Sequence, residues 1–371
     1  MKLTIERTAL FKALGHVQSV VERRNTIPIL SNVKIEAADG RVALTATDME
    51  IDIVEHAAAD IQTPGATTVP AHTLYDIVRK MSDGAQVSME LSGDGPLEVK
   101  AGRSRFSMKS LPTEDFPVMG GGDLPVQFSM PAGELRGLID RTRFAISTEE
   151  TRYYLNGIYL HAADRDGTPV LRAVATDGHR LASAECPLPS GAAEMPGIIA
   201  PRKAVTEVFK LIEETSDDIH IALSETKIRF TLADMVMTSK LIDGTFPDYE
   251  RVIPKGNDKT VKIDRDSLSL AVDRVSAISS EKSRAVKLAL SSGLLVVSAN
   301  SPEHGSADEE LEVDYTGDGM EIGFNARYLM DIAQQIEGGT ANIALSDSTS
   351  PTIVRDDEDP TALYVLMPMR V

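Results

Sequence analysis

The chain has 371 residues, enough for two or three domains of ordinary size, with 42% hydrophobic and 25% charged residues, the balance of a globular protein. No apolar run approaches the roughly 20 residues that a membrane-spanning helix needs, and the one cysteine, Cys186, excludes an internal disulfide. The net charge of −18 argues against a uniformly basic nucleic-acid binder, so any such role depends on where the positive charge is placed.

Tryptophan is absent, so Val, Ile, Leu and the 14 Met must fill the cores. The opening Met1-Lys2-Leu3-Thr4-Ile5-Glu6 reads as a strand and not as a secretion signal. Together with the lone thiol this points to a reducing, cytoplasmic location and no membrane partner.

In chain order the first predicted strand, Leu3-Thr4-Ile5-Glu6-Arg7, runs into a helix with apolar positions Leu10, Phe11, Leu14 and Val17. A strand ending in Thr45-Ala46-Thr47-Asp48 follows, and then a second helix with Leu74, Ile77, Val78 and Met81. The same order returns at Val126-Gln127-Phe128-Ser129-Met130, with Leu135, Leu138 and Ile139, then Val174-Ala175-Thr176-Asp177, then Val205, Val208, Phe209 and Ile212. It returns again at Val261-Lys262-Ile263-Asp264-Arg265, with Leu268, Val272 and Val275, then Val297-Ser298-Ala299-Asn300, then Leu329, Ile332, Ala333 and Ile336. Period 2 gives way to a spacing near 3.6 each time.

The first two copies also close alike. Leu111 stands five residues before Phe116-Pro117, and Leu241 five before Phe246-Pro247. The pairs Asp48 and Asp177, Leu74 and Val205, and Phe116 and Phe246 are offset by 129, 131 and 130 residues. Repeats of that length predict three α+β domains, 1–120, 125–254 and 258–371, each with two helices backing antiparallel strands. Met119-Gly120-Gly121-Gly122-Asp123 and Pro254-Lys255-Gly256-Asn257 would link them.

The six helices are expected at 7–21, 70–81, 132–146, 201–212, 265–278 and 325–336. They hold 13 basic and 7 acidic residues, a surplus of +6, which leaves −24 on the remainder. If the helices share one side, that side attracts phosphate and the rest repels it. Helices packed about 10 Å apart, with radii of about 5 Å, would leave a hole of about 9 Å if six closed a circle and about 28 Å if twelve did. A duplex is roughly 20 Å across. One chain could not surround DNA, whereas a head-to-tail pair could.

Catalytic chemistry has little to stand on. Gly120-Gly121-Gly122 has no lysine after it to make a phosphate loop, and there is no HExxH pair or cysteine cluster. No cofactor, metal or catalytic residue is expected. Two other readings stay open at this level. One is a hydrolase using Asp177 and His179, which would need an activating partner for the imidazole. The other is a peptide-binding scaffold that does not touch DNA.

Several strings resemble signatures of one family, the bacterial sliding clamp, the beta subunit of DNA polymerase III. They are Pro28-Ile29-Leu30-Ser31-Asn32, Gly102-Arg103-Ser104-Arg105-Phe106-Ser107, Arg152-Tyr153-Tyr154-Leu155-Asn156-Gly157 and Val174-Ala175-Thr176-Asp177-Gly178-His179-Arg180-Leu181-Ala182. Pro201-Arg202-Lys203, Ser239-Lys240-Leu241 with Asp243-Gly244, Phe246-Pro247-Asp248-Tyr249 and the terminal Tyr364-Val365-Leu366-Met367-Pro368-Met369-Arg370-Val371 complete the set. They lie in all three repeats. The resemblance implies the DNA-clamp fold: a head-to-tail dimeric ring of six domains, helices inside and antiparallel sheets outside, acting as a non-enzymatic processivity factor of DNA replication.

The resemblance also implies sites. A groove between the second and third repeats would take a linear peptide from replicative and translesion DNA polymerases and from the clamp-loader ATPase. Its matching positions are Leu155, Thr176, Gly178, His179, Arg180, Leu181, Pro247, Arg251 and Val252, the strand Val365, Leu366, Met367, Pro368, Met369 and Arg370, and Asn325 and Tyr328 at the rim. An apolar cleft containing Met suits a site shared by several partners. Double-stranded DNA would meet Arg24, Arg79, Tyr153, Tyr154, Arg202 and Lys203, although two adjacent tyrosines can also be one in the core and one outside. The homodimer would close through Arg103, Arg105, Phe106 and Met108 against Ala277, Ile278 and the acidic segment around Glu303. Three positions depart from the family pattern: Ser283 replaces a bulky ring, Pro351 a small hydroxyl residue, and His72 an arginine.

Overall fold

Alternating burial along the strands and a capped helix after each opening strand build the fold, seen here in a computed structural model that describes all residues except 94, 121, 214, 280–283 and 371. Ser283 and Val371 therefore lie outside the described residues. Six α-helices occur among the described residues. They are α1 (Arg7–Val17), α2 (Ala71–Arg79), α3 (Ala132–Arg143), α4 (Arg202–Ile212), α5 (Arg265–Ser276) and α6 (Ala326–Ala333). All six fall where the apolar spacing predicts.

Their N-termini have physical stops. The Glu6 carboxylate accepts the Thr8 and Ala9 N–H groups at 2.7 and 3.0 Å ahead of α1. Asp264 accepts the Ser267 N–H ahead of α5, and Asn325 accepts those of Arg327 and Tyr328 ahead of α6. The helices end two to four residues earlier than expected wherever the last turn tightens. Ala145 and Ile146 bond three residues back, to Thr142 and Arg143, and Gln335 and Ile336 do the same to Ile332 and Ala333. The apolar spacing continues through these tight turns, so sequence alone extends the helices too far. Among the helical basic residues only Lys80 drops out.

By packing, the chain forms two compact units. The first comprises 1–133, 189–196 and 203–241, and the second 134–188, 197–202 and 242–371. Each holds an eight-stranded antiparallel sheet assembled from two neighbouring thirds. In the first unit the strand order is Val126–Pro131, Asp218–Leu223, Lys227–Leu232, Met235–Lys240, Ile51–Ala58, Arg41–Thr47, Asn32–Ala38, Gly65–Pro70. In the second it is Lys259–Asp264, Thr340–Leu345, Thr352–Asp356, Ala362–Leu366, Arg180–Pro187, Thr168–Thr176, Gly157–Arg165, Ile198–Pro201. The two orders correspond strand for strand, which is the repeat expressed as topology.

A smaller sheet completes each unit. The first has five strands and ends on Ser104–Met108; the second has four and ends on Gly305–Glu312. Side chains alternate cleanly: Leu3 and Ile5, Ile35, Leu44, Ile51 and Ile53 are buried while their neighbours face out. Helices α1 and α2 pack together with Phe11 and Tyr75 stacked, ring centres 5.1 Å apart. No helix is long and apolar enough to cross a membrane, among the described residues.

Gly157 shows how closely the second sheet is fitted. A Cβ at that position would run into the Ala200 carbonyl of the paired strand. Gly157→Ala should cost about 1–3 kcal/mol, read as a lower urea midpoint with an unchanged slope; an unchanged midpoint would show that the two strands can part without penalty.

Candidate functional site

The second unit brings most of the predicted groove residues together at one corner. Strand Thr168–Thr176 turns into strand Arg180–Pro187 through Asp177-Gly178-His179. The Thr176 hydroxyl accepts the Gly178 N–H at 3.1 Å and donates to the Arg180 carbonyl at 2.7 Å. Asp177 Oδ1 accepts the N–H groups of His179 and Arg180 at 3.0 and 3.1 Å. Gly178 has φ +87°, and a Cβ there would lie 2.5 Å from an Arg152 guanidinium nitrogen. Glycine meets both conditions without displacing Arg152.

Arg180 is 8% exposed, and its guanidinium is used inside the protein. Nε donates to Asp177 Oδ2 at 3.1 Å, Nη2 to the Phe144 carbonyl at 2.7 Å and Nη1 to Asp331 of α6 at 2.5 Å. Its carbon sits 4.4 Å from the Tyr328 ring centre and 5.1 Å from that of Phe144. The exposed His179 ring also stacks on Tyr328, at 6.1 Å and 21°. Burial pushes the Tyr328 phenol up. Arg180 therefore fixes the wall of the site, while Asn325 acts through its cap of the helix that carries Tyr328.

The C-terminal strand forms the other wall. Leu181 pairs with Val365, Arg180 pairs with Leu366, and the Met367 N–H donates to the His179 carbonyl at 3.0 Å. Beyond it the Met369 N–H reaches the Gly323 carbonyl at 2.8 Å. Leu155, Leu181 and Val365 join Val174, Ile199, Phe246 and Tyr249 in one buried cluster, with Tyr154 packed against it. Met367 (40%) and Val252 (49%) are exposed, as are Pro247 and Arg251, and Arg251 pairs with Asp248 at 2.7 Å. Leu366 is wholly buried and offers nothing to the surface. Pro368, Met369 and Arg370 line an open cavity of about 580 Å³ with Gly323, Ser348 and Thr349. The half-buried Pro351 gives its carbonyl to the Asn257 side chain at 3.0 Å.

The predicted DNA residues are spread over both units. Arg24 is exposed in the segment after the short turn Gln18–Val20. Arg79 is exposed on α2 and pairs with Asp76 at 2.9 Å. Tyr153 is 53% exposed and meets the half-buried Tyr154 edge-on at 5.8 Å, so one ring is outside and the other supports the core. Arg202 opens α4. The ammonium of the adjacent Lys203 is held by Asp48 and by the Val20 carbonyl. His72 lies 2.9 Å from the Val21 carbonyl, which ties its ring to the backbone.

The predicted ring-closing residues lie on or beside the edge strand Ser104–Met108 of the first unit, and after α5 and beside the edge strand Gly305–Glu312 in the second. Phe106 is half-buried, Arg103 is exposed, and Arg105 donates to Glu98 of the next strand. Met108, expected to face outward at this edge, is instead 6% exposed inside its own sheet. Met108 shares a face with the half-buried Phe106, and burial on that face deepens toward the end of the strand. Ala277 is exposed and Ile278 half-buried just after α5. The outer strand Gly305–Glu312 exposes Asp308, Glu310 and Glu312, with Glu303 exposed before it, while Glu309 is held by Arg274.

The hydrolase reading fails on geometry. Asp177 spends both oxygens on backbone N–H groups and Arg180, not on the imidazole of His179. Cys186 is buried, and burial pushes its thiol up to about 12, so no thiolate forms near neutrality. No group of three potential ligands gathers as a metal site among the described residues. Sequence reasoning missed Phe144 and Asp331, which hold Arg180 from two other elements.

Repeated units of antiparallel sheet backed by helix pairs, with sheets shared between neighbouring repeats, define the DNA-clamp fold. Family models of the DNA polymerase III beta subunit match the chain throughout: the N-terminal domain at 1–120, the central domain at 129–248 and the C-terminal domain at 250–370. The beta sliding clamps of Caulobacter vibrioides and Escherichia coli K12 are 55% and 40% identical over the full length of both chains. Among solved structures, a Caulobacter crescentus beta sliding clamp gives a TM-score of 0.98 at 54% identity, covering 100% of this chain and 99% of that one. A Bartonella birtlesii sliding clamp bound to griselimycin gives 0.97 at 50% identity, covering 100% of both. The chain belongs to the DNA polymerase III beta-subunit family. It is a sliding clamp of DNA replication, a non-catalytic, self-associating, ring-forming processivity factor that tethers polymerase to DNA.

Arg180→Ala would leave Asp177 and Asp331 without their buried counter-ion. It should lower stability by about 3–5 kcal/mol, measured by chemical denaturation; a loss under 1 kcal/mol would mean the ring sandwich holds without the guanidinium.

Proposed function

We propose that partners dock one linear peptide at a time in the groove of the second unit, between the second and third repeats. The observation that carries this is the pairing of Leu181 with Val365 and of His179 with Met367. It sets the buried Leu181 and Val365 next to the exposed Met367 and to the aromatic wall of His179 and Tyr328. A peptide laying an aliphatic or aromatic side chain there removes apolar surface from water at both faces. Thioether flexibility lets Met367 and Met369 repack around different partners. Replicative and translesion polymerases and the clamp-loader ATPase are the partners this site would serve in the cytoplasm, and loading would draw on that external ATPase.

The remaining assignments follow the same reading. Domains at 1–120, 125–254 and 258–371 would form six similar segments in the closed dimer. Arg24, Arg79, Tyr153, Tyr154, Arg202 and Lys203 would touch the sugar-phosphate backbone, weakly enough to permit sliding. The basic, partly apolar edge at Arg103, Arg105 and Phe106 would meet Ala277, Ile278 and the acidic strand near Glu303 of a second copy.

Three substitutions test these assignments. Met367→Ala should weaken binding of a polymerase C-terminal peptide more than tenfold by calorimetric titration; equal affinity would dispose of the groove. Arg24→Ala should lower loading onto a primed circle while the dimer mass stays the same, and equal loading would remove Arg24 from the DNA path. Ile278→Asp would bury an unpaired charge at the closing edge and should give monomers by sedimentation, whereas a dimer persisting at high dilution would place the closure elsewhere.

A further inference from the structure

The first unit reproduces the architecture of the groove with different side chains. Thr47 Oγ1 accepts the Met49 N–H at 2.9 Å, and Asp48 Oδ1 accepts those of Glu50 and Ile51 at 2.8 and 2.7 Å. This is the corner made by Thr176 and Asp177. Met49 takes φ +73°, as Gly178 takes +87°. The Lys240 N–H donates to the Glu50 carbonyl at 2.9 Å, as Met367 does to His179, and Asp52 pairs with Thr238, as Leu181 pairs with Val365. Leu30 packs with Phe116, as Leu155 does with Phe246. A cavity of about 350 Å³ adjoins this corner: Asp52, Pro117 and Thr238 line one end of it, and it continues over the sheet face past Lys34, His56 and Arg229.

The chemistry is inverted at four positions. Where the groove has His179, Leu181, Val365 and Met367, the first unit has Glu50, Asp52, Thr238 and Lys240. Lys240 Nζ and Glu50 Oε1 pair at 2.9 Å across the place that Met367 and His179 leave open. Asp52 Oδ2 accepts the Met119 N–H at 3.1 Å, while Oδ1 is buried without a partner among the described residues. We infer that the first unit holds a second copy of the partner groove, closed to apolar side chains by Glu50, Asp52, Thr238 and Lys240, so that each protomer docks one peptide and not two. A leucine or phenylalanine seated over Asp52 would strip the remaining water from a carboxylate and give it no hydrogen bond in return. This inference rests on the groove reading above, because the open site is its template.

The test is stoichiometry in the intact dimer, titrated calorimetrically with a polymerase C-terminal peptide. The natural chain should bind one peptide per protomer. Met367→Ala should weaken that site more than tenfold. Adding Glu50→His, Asp52→Leu, Thr238→Val and Lys240→Met to Met367→Ala should restore one tight site per protomer, and in the natural background the same four changes should give two. Two equal sites in the natural chain, or a folded fourfold variant that gains none, would overturn the inference. If the fourfold variant does not fold, the surface pair Glu50→His with Lys240→Met should still add a weaker second site, and its absence counts against the proposal. A peptide affinity indifferent to Met367→Ala in the natural chain would remove the groove reading, and this inference with it.

Discussion

Two strand pairings carry the chain from one third into the next. Ile51–Ala58 hydrogen-bonds to Met235–Lys240, and Arg180–Pro187 to Ala362–Leu366. Because each pairing joins strands about 180 residues apart, neither third can complete its sheet alone. The middle third is therefore divided between two compact units, half of it finishing the sheet of the first third and half finishing that of the last. The backbone amides that would otherwise form exposed edges are satisfied there, which makes the junction a continuous sheet. The partner groove follows directly. As proposed, it is the corner just before the second of these pairings, walled by the strand that arrives from the end of the chain.

Charge is organised around the same frame. The chain is −18 overall, yet within their observed bounds the six helices keep twelve basic residues against seven acidic ones. Buried cations are committed to structure: Arg180 to Asp177 and Asp331, Arg172 to Glu185 and the Tyr249 hydroxyl. Exposed pairs such as Arg79 with Asp76 contribute little to stability and can exchange partners. A protein that must stay on DNA while moving along it needs this division. Fixed ion pairs hold the frame, and loosely held cations meet a backbone that is never read.

Much of this was legible in the sequence, for identifiable reasons. Helix positions followed from apolar spacing, whereas the caps at Glu6, Asp264 and Asn325 emerged only with the structure. The corner residues Thr176 and Asp177 were legible because their chemistry is local, bonding amides two or three residues away. Met108 was not, because burial at the end of an edge strand depends on what covers it. The roles of Phe144 and Asp331 were not either, since nothing local marks a residue that acts on a guanidinium from another element. The cross-third pairing left no local signal at all. The repeat marks three similar segments, and long-range register joins them into two continuous eight-stranded sheets.

The central claim is that two of these chains close around DNA and are held by topology rather than by affinity. The direct measurement is retention of the loaded protein on nicked circular DNA at a salt concentration that abolishes ordinary phosphate binding, followed by a single cut that linearises the circle. A closed ring stays on the circle and runs off the ends within the dead time of the cut. Loss from the intact circle at that salt, or retention on the linear product with free ends, would contradict it.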